Sequence, residues 1–239
     1  DTHSVTGSLI QGAATVLMQE AAPQLKVHLA DIQSASSQHT SGLAQMVFEE
    51  WHQANEYAVI RKGKRRYVAD YHVVGSPLKS DERPVLLRQN GRYLITGGLG
   101  NVGRTISRFL ANQGAAEIIF LSRRVFPKQE DWQRLIDSDK SDPQTEILKQ
   151  LLSLKESGVS VQVVQGDVSK QEPLQQIVEQ IEADAGPING VIHAAGITTG
   201  ASIGVAWDEI GAGEFALQEA PKITGTQNLI TCFKDRNTD

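Results

Sequence analysis

Short apolar runs alternate with longer amphipathic stretches through the second part of the sequence. The apolar runs predict four β-strands, at Tyr93–Ile95, Ile118–Leu121, Val161–Val164 and Val191–His193. Apolar residues at three- and four-residue spacing predict helices over about 102–113, 143–157, 171–184 and 214–234. Short strands that lack a polar face and alternate with helices are typical of a parallel sheet covered on both sides. We therefore expect an α/β fold with a doubly wound parallel sheet.

The first part of the sequence has a less regular pattern. Helical spacing predicts helices over about 6–20 and 38–53, and strand-like runs follow at Leu25–Ile32, Tyr57–Arg61 and Arg66–Val74. Gly63 separates the last two runs and suits a tight turn, so these two runs should form a hairpin.

Two segments interrupt these patterns. Residues 75–90 carry glycine, two prolines and mixed charges, which indicates a linker. We accordingly expect two domains, residues 1–88 and residues 89–239. Residues 125–143 form an inserted, partly helical excursion, for which a solvent-exposed loop and a functional element both stay open.

Composition excludes several classes of protein. The 239 residues include 23 Lys and Arg against 28 Asp and Glu, a net charge of −5, which excludes the broadly basic surface of a typical nucleic-acid-binding protein. No apolar run reaches the roughly 18 residues of a membrane span, and no cluster of ligand residues has the spacing of a metal site. Cys232 has no cysteine partner within the chain, so we expect an intracellular, cytoplasmic protein.

The glycine-rich segment TGGLGNVG, residues 96–103, has the strongest chemical pattern. Gly98, Gly100 and Gly103 fit G-x-G-x-x-G, and the segment follows a predicted strand and opens a predicted helix. Such glycines permit a tight turn, a close approach of the backbone to a pyrophosphate, and close packing of helix on strand. The helix start then offers free N–H groups to phosphates. The pattern predicts a dinucleotide site, and a purely structural turn is the alternative. The site would be formed by Thr96, Gly97, Gly98, Leu99, Gly100, Asn101, Val102 and Gly103.

The second strand ends with Ser122, Arg123 and Arg124, where many NAD sites have an acidic residue that binds the ribose 2′-hydroxyl. A guanidinium suits bidentate contact with phosphate. A 2′-phosphate is therefore the natural partner, and NADPH is favoured over NADH. An ordinary pair of surface arginines is the alternative.

Further candidate residues follow the third and fourth strands. Asp167 and Val168 come directly after the third strand, where a carboxylate lies on the ligand side of an open α/β sheet. Asp167 could accept a hydrogen bond from an adenine amino group, or it could cap the helix that starts near Lys170. Small residues after the fourth strand leave room for a flat ring or a ribose: Ala194, Ala195 and Gly196.

Two more residues carry chemistry but have ordinary interpretations when taken alone. His193 ends the fourth strand, and we interpret it as a packed strand residue rather than a catalyst. Lys222 lies in the last predicted helix between Leu217 and Leu229, and a single lysine on a helix is usually solvated.

Taken in order, the motifs resemble the ketoreductase domains of modular polyketide synthases, a branch of the short-chain dehydrogenase/reductase family. The resembling segments are TGGLGNVG (96–103), LSRR (121–124), GDV (166–168), GVIHAAG (190–196) and PKITGTQNL (221–229). The resemblance implies a Rossmann-like domain with NADPH as cofactor. It implies that Lys222 is the catalytic lysine, because the family carries that lysine in a PK-x-x-G-x-x-x-L helix motif. Residues 1–88 are similar to part of the family's structural subdomain, a truncated Rossmann-like unit without cofactor.

The implied reaction is the NADPH-dependent reduction of a β-ketoacyl thioester to the β-hydroxyacyl product. The implied partners are an acyl carrier domain, which holds the acyl chain on phosphopantetheine, and neighbouring synthase domains. The family's catalytic Ser and Tyr-x-x-x-Asn motif follow the lysine helix, beyond Asp239. The sheet should therefore be incomplete, with Val191–Ala195 at an open edge where a fifth strand would pair. Residues 1–239 alone are accordingly not expected to be a stable, active unit.

Two other functions stay open. The domain could be a non-catalytic, ketoreductase-like scaffold in a multidomain synthase, which the missing Ser and Tyr would favour and the intact glycine motif, arginine pair and Lys222 oppose. A methyltransferase that uses S-adenosylmethionine also has a glycine-rich turn after its first strand. It usually needs an acidic residue at the end of its second strand, where Arg123 and Arg124 stand in this sequence.

Overall fold

The structure, a computed structural model, describes residues 5–17, 27–33, 40–53, 56, 58–62, 65–70, 72–73, 87–138, 142–200 and 203–238. The chain divides into two compact units. Unit 1 lies within residues 1–81 and 204–210, and unit 2 lies within residues 82–203 and 211–239. Of the linker predicted over 75–90, residues 75–86 lie outside the described residues.

Unit 1 contains a three-stranded sheet with the order β1-β2-β3. Its elements are helix α1 Val5–Val16, strand β1 Leu29–Gln33, helix α2 Thr40–His52, strands β2 Ala58–Lys62 and β3 Arg65–Val68, and a 3₁₀ turn at Trp207–Glu209. Strand β1 pairs parallel to β2, whereas β2 pairs antiparallel to β3 with Ile60 opposite Tyr67. The predicted hairpin is thus confirmed, but its second strand is shorter than the predicted Arg66–Val74, because β3 ends at Val68 and residues 69, 70, 72 and 73 are not strand. Gly63 and the outer ends of some other predicted elements lie outside the described residues.

A buried ion-pair cluster joins helix α2 to both strands of this hairpin. The Glu50 carboxylate accepts hydrogen bonds from Nε of Arg61 on β2 at 2.5 Å and from Nε of Arg66 on β3 at 3.0 Å. Glu50 is only 1% exposed. Burial by itself would raise the pKa of Glu50, but the two guanidiniums outweigh burial and hold this pKa below its usual value. The cluster therefore fixes the position of α2 on this sheet through charge pairing.

Unit 2 contains a four-stranded parallel sheet with the order β6-β5-β4-β7. The strands are β4 Arg92–Thr96, β5 Glu117–Ser122, β6 Ser160–Gln165 and β7 Gly190–His193, and all four confirm the predicted strands. The helices are α3 Asn101–Asn112, α4 Trp132–Ser138 after a 3₁₀ turn at Gln129–Asp131, α5 Pro143–Glu156, α6 Gln171–Ala185, α7 Ala212–Glu219 and α8 Gly225–Phe233. A π-helical turn, Ala220–Thr224, lies between α7 and α8.

Helices cover both faces of this sheet, as expected for a doubly wound fold. On one face, Ile95 and Phe120 pack in a core with residues of α3, α4 and α5. On the other face, Leu94 and Ile119 pack against α6 and α8. The central strands β4 and β5 are apolar on both faces because successive side chains point in opposite directions and both directions are buried. Within the described residues, β7 pairs with β4 on one side only, which places it at the sheet edge.

The excursion at 125–143 is not the solvent-exposed loop that the sequence left open. Trp132 is only 2% exposed and belongs to the core on the α3 face of the sheet. Its indole Nε1 donates a hydrogen bond to the Pro127 carbonyl at 3.0 Å, and its ring meets Phe126 edge to face with 6.0 Å between the centroids. The segment thus closes one side of the hydrophobic core.

The single helix predicted over 214–234 is wrong in one respect, because the structure divides it at Ala220–Thr224. Pro221 has no backbone N–H and its ring clashes with the carbonyl of the preceding turn, so the α-helical hydrogen-bond ladder is interrupted there. The chain widens into a π turn, in which the Gly225 amide donates to the Ala220 carbonyl five residues before it. None of the helices that the structure describes is both long and apolar enough to cross a membrane.

The buried cluster predicts a large difference between two neighbouring glutamates of α2. Glu50→Gln in the full-length protein should lower the free energy of unfolding of this domain by about 3 kcal/mol, because it leaves the two guanidiniums without their buried counter-charge. Glu49→Gln should cost less than about 1 kcal/mol, since this carboxylate is 39% exposed and reaches Arg61 at 3.1 Å. Urea unfolding followed by tryptophan fluorescence measures both.

The same comparison has a defined pH dependence. A carboxyl whose pKa is lowered by folding stabilises the protein above its usual pKa and loses this effect as the pH falls through the lowered value. The loss of free energy of unfolding caused by Glu50→Gln should therefore be full at neutral pH and become smaller in acid. Equal effects of the two substitutions, or an effect of Glu50→Gln that grows in acid, would contradict this account.

Candidate active site

A sharp turn joins strand β4 to helix α3 at the carboxyl edge of the parallel sheet. The strand ends at Thr96, the Gly100 amide donates to the Gly97 carbonyl at 3.0 Å, and α3 begins at Asn101. Gly100 is the extended N-cap residue and offers no side chain to the helix. The N–H groups of the first helical turn have no acceptor within a regular helix, so they are available to a ligand.

Two glycines make this turn possible by bringing backbone directly against backbone. Gly97 adopts a left-handed conformation with φ of 65°, and a Cβ there would lie 2.5 Å from the Ala194 carbonyl oxygen after β7. A Cβ on Gly103 would lie 2.4 Å from Cα of Gly98. The third glycine of the motif therefore allows the helix to pack on the turn, as predicted. The left-handed residue is Gly97, which precedes the G-x-G-x-x-G triplet.

The start of α3 has the electrostatics of an anion site. Its first turn carries no acidic side chain, so the partial positive charge of the helix terminus is not neutralised there. The remaining predicted residues of the segment differ in exposure. Leu99 is half-buried against the core, Val102 is 66% exposed, and the Asn101 amide oxygen accepts a hydrogen bond from Nη2 of Arg104 at 2.5 Å.

The arginine pair lies at the carboxyl end of β5, the strand next to β4. Ser122 ends the strand, and its hydroxyl accepts a hydrogen bond from the Arg124 amide at 3.2 Å, which closes the turn. The Arg123 and Arg124 side chains are exposed. Within the described part of the chain, neither guanidinium forms an ion pair or a hydrogen bond, and both are free to contact a phosphate.

Asp167 shapes the turn after β6 rather than the helix behind it. Its Oδ1 accepts hydrogen bonds from the Ser169 amide at 2.9 Å and from the Ser169 hydroxyl at 2.7 Å. Helix α6 begins at Gln171 behind Lys170, and no side chain caps it. The alternative role of Asp167 as a helix cap is therefore wrong, and its hydrogen bonds are those of an Asx turn.

Val168 and the last helix hold each other closely. The Val168 side chain is buried in the core, and its carbonyl accepts a hydrogen bond from the buried Asn228 amide at 3.0 Å. A Cβ on Gly225 would lie 2.8 Å from Val168 Cγ1. The contacts explain why a helix with the pattern PKITGTQNL lies against this turn. The sequence did not lead us to predict a role for Asn228. The available indication was an amide side chain at a helix position whose neighbours on the same face are apolar.

His193 connects three elements at the end of β7. Its Nδ1 lies 2.5 Å from the Thr96 hydroxyl at the end of β4, and its Nε2 lies 2.8 Å from the Pro221 carbonyl in the π turn. Thr96 is only 1% exposed, so its hydroxyl is committed to this contact. His193 is thus a bridging residue as well as a packed one, with partners that are distant in sequence.

The chain continues from His193 along the rim of the site. The Ala194 amide donates to the Thr96 carbonyl at 3.0 Å, which extends the pairing of β4 and β7. Ala194 and Ala195 are half-buried, and Gly196 is exposed with open space where a side chain would be. Room for a flat ring or a ribose beside these small residues stays a prediction.

Lys222 lies in the π turn, one residue after the carbonyl that His193 contacts. Pro221 is buried, whereas Lys222 is exposed and its Nζ donates a hydrogen bond to Oε1 of Gln218 at 3.1 Å. Strand order brings the turns after β4, β5 and β7 side by side, and the His193 contact places the lysine turn beside them. In the described residues, no three His, Cys, Asp or Glu side chains converge in a way that could hold a metal ion.

Comparison with known proteins shows the family that this chain resembles. A family model described as KR domain matches residues 91–239. The chain is 32% identical over 161 residues to a 6-methylsalicylic acid synthase of Aspergillus terreus, and 35% identical over 154 residues to a phenolphthiocerol/phthiocerol polyketide synthase of Mycobacterium tuberculosis. These matches cover 67% and 64% of this chain, but only 9% and 8% of the two relatives. The chain thus spans less than a tenth of the length of these relatives.

Solved structures confirm the predicted Rossmann-like fold. A ketoreductase from the macrolactin assembly line superimposes with a TM-score of 0.72 at 20% identity, over 96% of this chain and 41% of that one. A ketoreductase domain from the bacillaene assembly line superimposes with a TM-score of 0.69 at 21% identity, over 96% of this chain and 47% of that one.

Two glycine substitutions, one in the turn and one in α7, should have opposite effects on the free energy of unfolding. Gly103→Ala should lower the free energy of unfolding by about 1–3 kcal/mol, because the new methyl group overlaps Gly98 and neither backbone can move freely. Gly213→Ala in α7 meets open space and should stabilise the protein by up to about 1 kcal/mol through helix propensity. Urea unfolding of both variants in the full-length protein measures the difference. A Gly103→Ala protein as stable as the wild type would refute the packing described for this turn.

Proposed function

The chain belongs to the KR domain family, the ketoreductase domains of polyketide synthases, and from this premise we propose that it takes part in the NADPH-dependent reduction of a β-ketoacyl thioester to the β-hydroxyacyl product. The observation that carries the proposal is the combination of the glycine turn with Arg123 and Arg124 on the neighbouring strand end, whose guanidiniums have no partner among the described residues. A turn without side chains beside a helix terminus suits a diphosphate, and two such guanidiniums suit a further phosphate.

The residues of this edge fit the parts of NADPH in order. The backbone of the segment 96–103 would hold the diphosphate against the N–H groups of α3. Arg123 and Arg124 would grip the 2′-phosphate, with Ser122 shaping their turn. Asp167 would accept a hydrogen bond from the adenine amino group beside the backbone of Val168. The small residues after β7 would border the nicotinamide ribose: Ala194, Ala195 and Gly196.

Lys222 is the residue of this chain to which we assign a catalytic role. NADPH held at this edge would supply the hydride for the β-carbon, and a proton would reach the carbonyl oxygen, so that the ketone would become a hydroxyl group. In the resembling enzymes a tyrosine and a serine that follow this segment donate the proton and orient the carbonyl oxygen. The positive charge of Lys222 would lower the pKa of that tyrosine, and its ammonium would hold the ribose of the nicotinamide.

The acyl substrate is proposed to arrive on an acyl carrier domain, as a thioester of phosphopantetheine. The named relatives are synthases of which this chain matches a small part, so neighbouring synthase domains are the expected partners. We further propose residues 1–88 as part of the structural subdomain and residues 89–239 as the cofactor-binding part of the catalytic subdomain.

Removal of the lysine charge tests the catalytic assignment. Lys222→Ala in the full-length protein should lower kcat for reduction of a β-ketoacyl thioester by about a hundredfold or more, with a smaller change in KM for NADPH. Lys234→Ala is the matched control, because this lysine is exposed, follows α8 directly and contacts Asp235 at 4.0 Å. NADPH oxidation followed at its near-ultraviolet absorbance measures both. An unchanged kcat of Lys222→Ala would exclude Lys222 from the mechanism.

Removal of the arginine pair tests the choice of cofactor. The double variant Arg123→Ala and Arg124→Ala should narrow the preference for NADPH over NADH by about 10- to 100-fold, or about 1.4–2.8 kcal/mol. Arg134→Ala is the control, since its side chain is 73% exposed and pairs with Asp131 away from the sheet edge. Affinities for both nucleotides can be measured by fluorescence titration. An unaltered ratio would reject the assignment, and absence of any nucleotide binding in the wild-type protein would favour a non-catalytic scaffold.

A further inference from the structure

We infer that His193 is a positioning residue for Lys222, which it acts on by holding the Pro221 carbonyl of the π turn against the sheet. The inference rests on the proposed catalytic role of Lys222 and adds a second residue to it. His193 itself makes no contact with Lys222. Its effect would pass through the backbone, because Pro221 and Lys222 are consecutive residues.

The partners of the ring determine which of its nitrogens carries the hydrogen in the neutral form. A proline carbonyl can only accept a hydrogen bond, so Nε2 of His193 must carry the hydrogen that reaches the Pro221 oxygen at 2.8 Å. In a neutral ring Nδ1 is then an acceptor, and the Thr96 hydroxyl donates to it at 2.5 Å. This tautomer is inferred from the partners. Both ring nitrogens are thereby occupied, and the ring orientation is fixed from both sides.

Two carbonyls of the π turn accept hydrogen bonds from side chains. His193 donates to the Pro221 carbonyl from the end of β7, and the Thr226 hydroxyl donates to the Lys222 carbonyl at 2.5 Å. The threonine bond is of a kind that regular helices of this chain also form, as from Thr231 to Gln227. The bond from His193 comes from another element, so it ties the backbone beside Lys222 to the sheet.

The two hydrogen bonds of His193 form a bridge between the glycine turn and the lysine turn, the two parts of the proposed site that must keep their relative position. Thr96 is the last residue of β4 and directly precedes the glycine turn, whereas Pro221 directly precedes the lysine. A lysine side chain is long and flexible, and its Nζ contacts Gln218, one turn earlier on the same helix. A fixed backbone at Pro221 therefore limits where the ammonium can reach. Loss of the bridge should displace the ammonium and leave the glycine turn intact.

A pair of amide substitutions separates the two hydrogen bonds of the ring. Glutamine places a side-chain amide near the position of Nε2 and can still donate to the Pro221 carbonyl, whereas asparagine reaches only the position of Nδ1. In the full-length protein, His193→Gln should keep kcat within about threefold of the wild type, and His193→Asn should lower it about tenfold or more. KM for NADPH should change little in both, because the diphosphate turn is untouched.

Two further readouts separate positioning from a general loss of structure. Amide hydrogen exchange of peptides that cover 212–226 should accelerate in His193→Asn but not in His193→Gln. Addition of His193→Asn to Lys222→Ala should cause no further loss of kcat, because the histidine acts only through the lysine. Should the asparagine variant fail to fold, Thr96→Val keeps the ring and removes its other partner, and it should lower kcat about two- to threefold and accelerate the same exchange.

These measurements distinguish failure of the inference from failure of the proposed function. Equal activity of the glutamine and asparagine variants, greater activity of the asparagine variant, additive losses in the double variant, or no effect of Thr96→Val would overturn the role of His193. Wild-type activity of Lys222→Ala would instead remove the catalytic role of Lys222, while the exchange experiment would still report whether His193 holds the π turn.

Discussion

Contact of backbone with backbone at the β4–α3 turn is the constraint on which the carboxyl edge of the parallel sheet depends. Side chains on Gly97 or Gly103 would overlap main-chain atoms of Ala194 and Gly98, respectively. Because these contacts are free of side chains, α3 begins directly behind its strand and leaves its first N–H groups facing the edge. The arginine pair at the end of β5 and His193 at the end of β7 flank this turn on either side, since both strands pair with β4.

The sequence was sufficient to predict elements whose residues act locally. The central strands of unit 2 are short and apolar on both faces, a pattern typical of a parallel sheet covered on both sides. Gly103 has a role that follows from its position at a helix start. The structure differs from the predictions where a remote partner or a single residue overrides the local pattern. Pro221 breaks a helix whose hydrophobic periodicity is continuous. Trp132 is buried in a core that also contains residues of α3 and α5, and no local pattern contains that information. The two partners of His193 lie 97 and 28 residues away in sequence.

The two units are stabilised by different interactions. In unit 2, two apolar cores lie on opposite faces of one sheet, and the buried side chains are almost all hydrophobic. Among the unit 1 residues whose burial the structure describes, Val59 is the one buried hydrophobic residue, and the Glu50 carboxylate is 1% exposed beside its two guanidinium partners. Hydrophobic burial depends little on pH, whereas the charge cluster needs an ionised carboxylate. Acid should therefore weaken unit 1 before it weakens unit 2.

The π turn also separates the orientations of the two helices that it joins. One extra residue in a helical turn rotates everything after it by about 100° relative to an uninterrupted α-helix. Leu229, Cys232 and Phe233 of α8 consequently face the core, while Phe215 and Leu217 of α7 are about half exposed. Substitutions on the exposed face of α7 therefore need not disturb the buried face of α8. The position of the lysine turn against the sheet depends on that buried face and on the contact at Pro221.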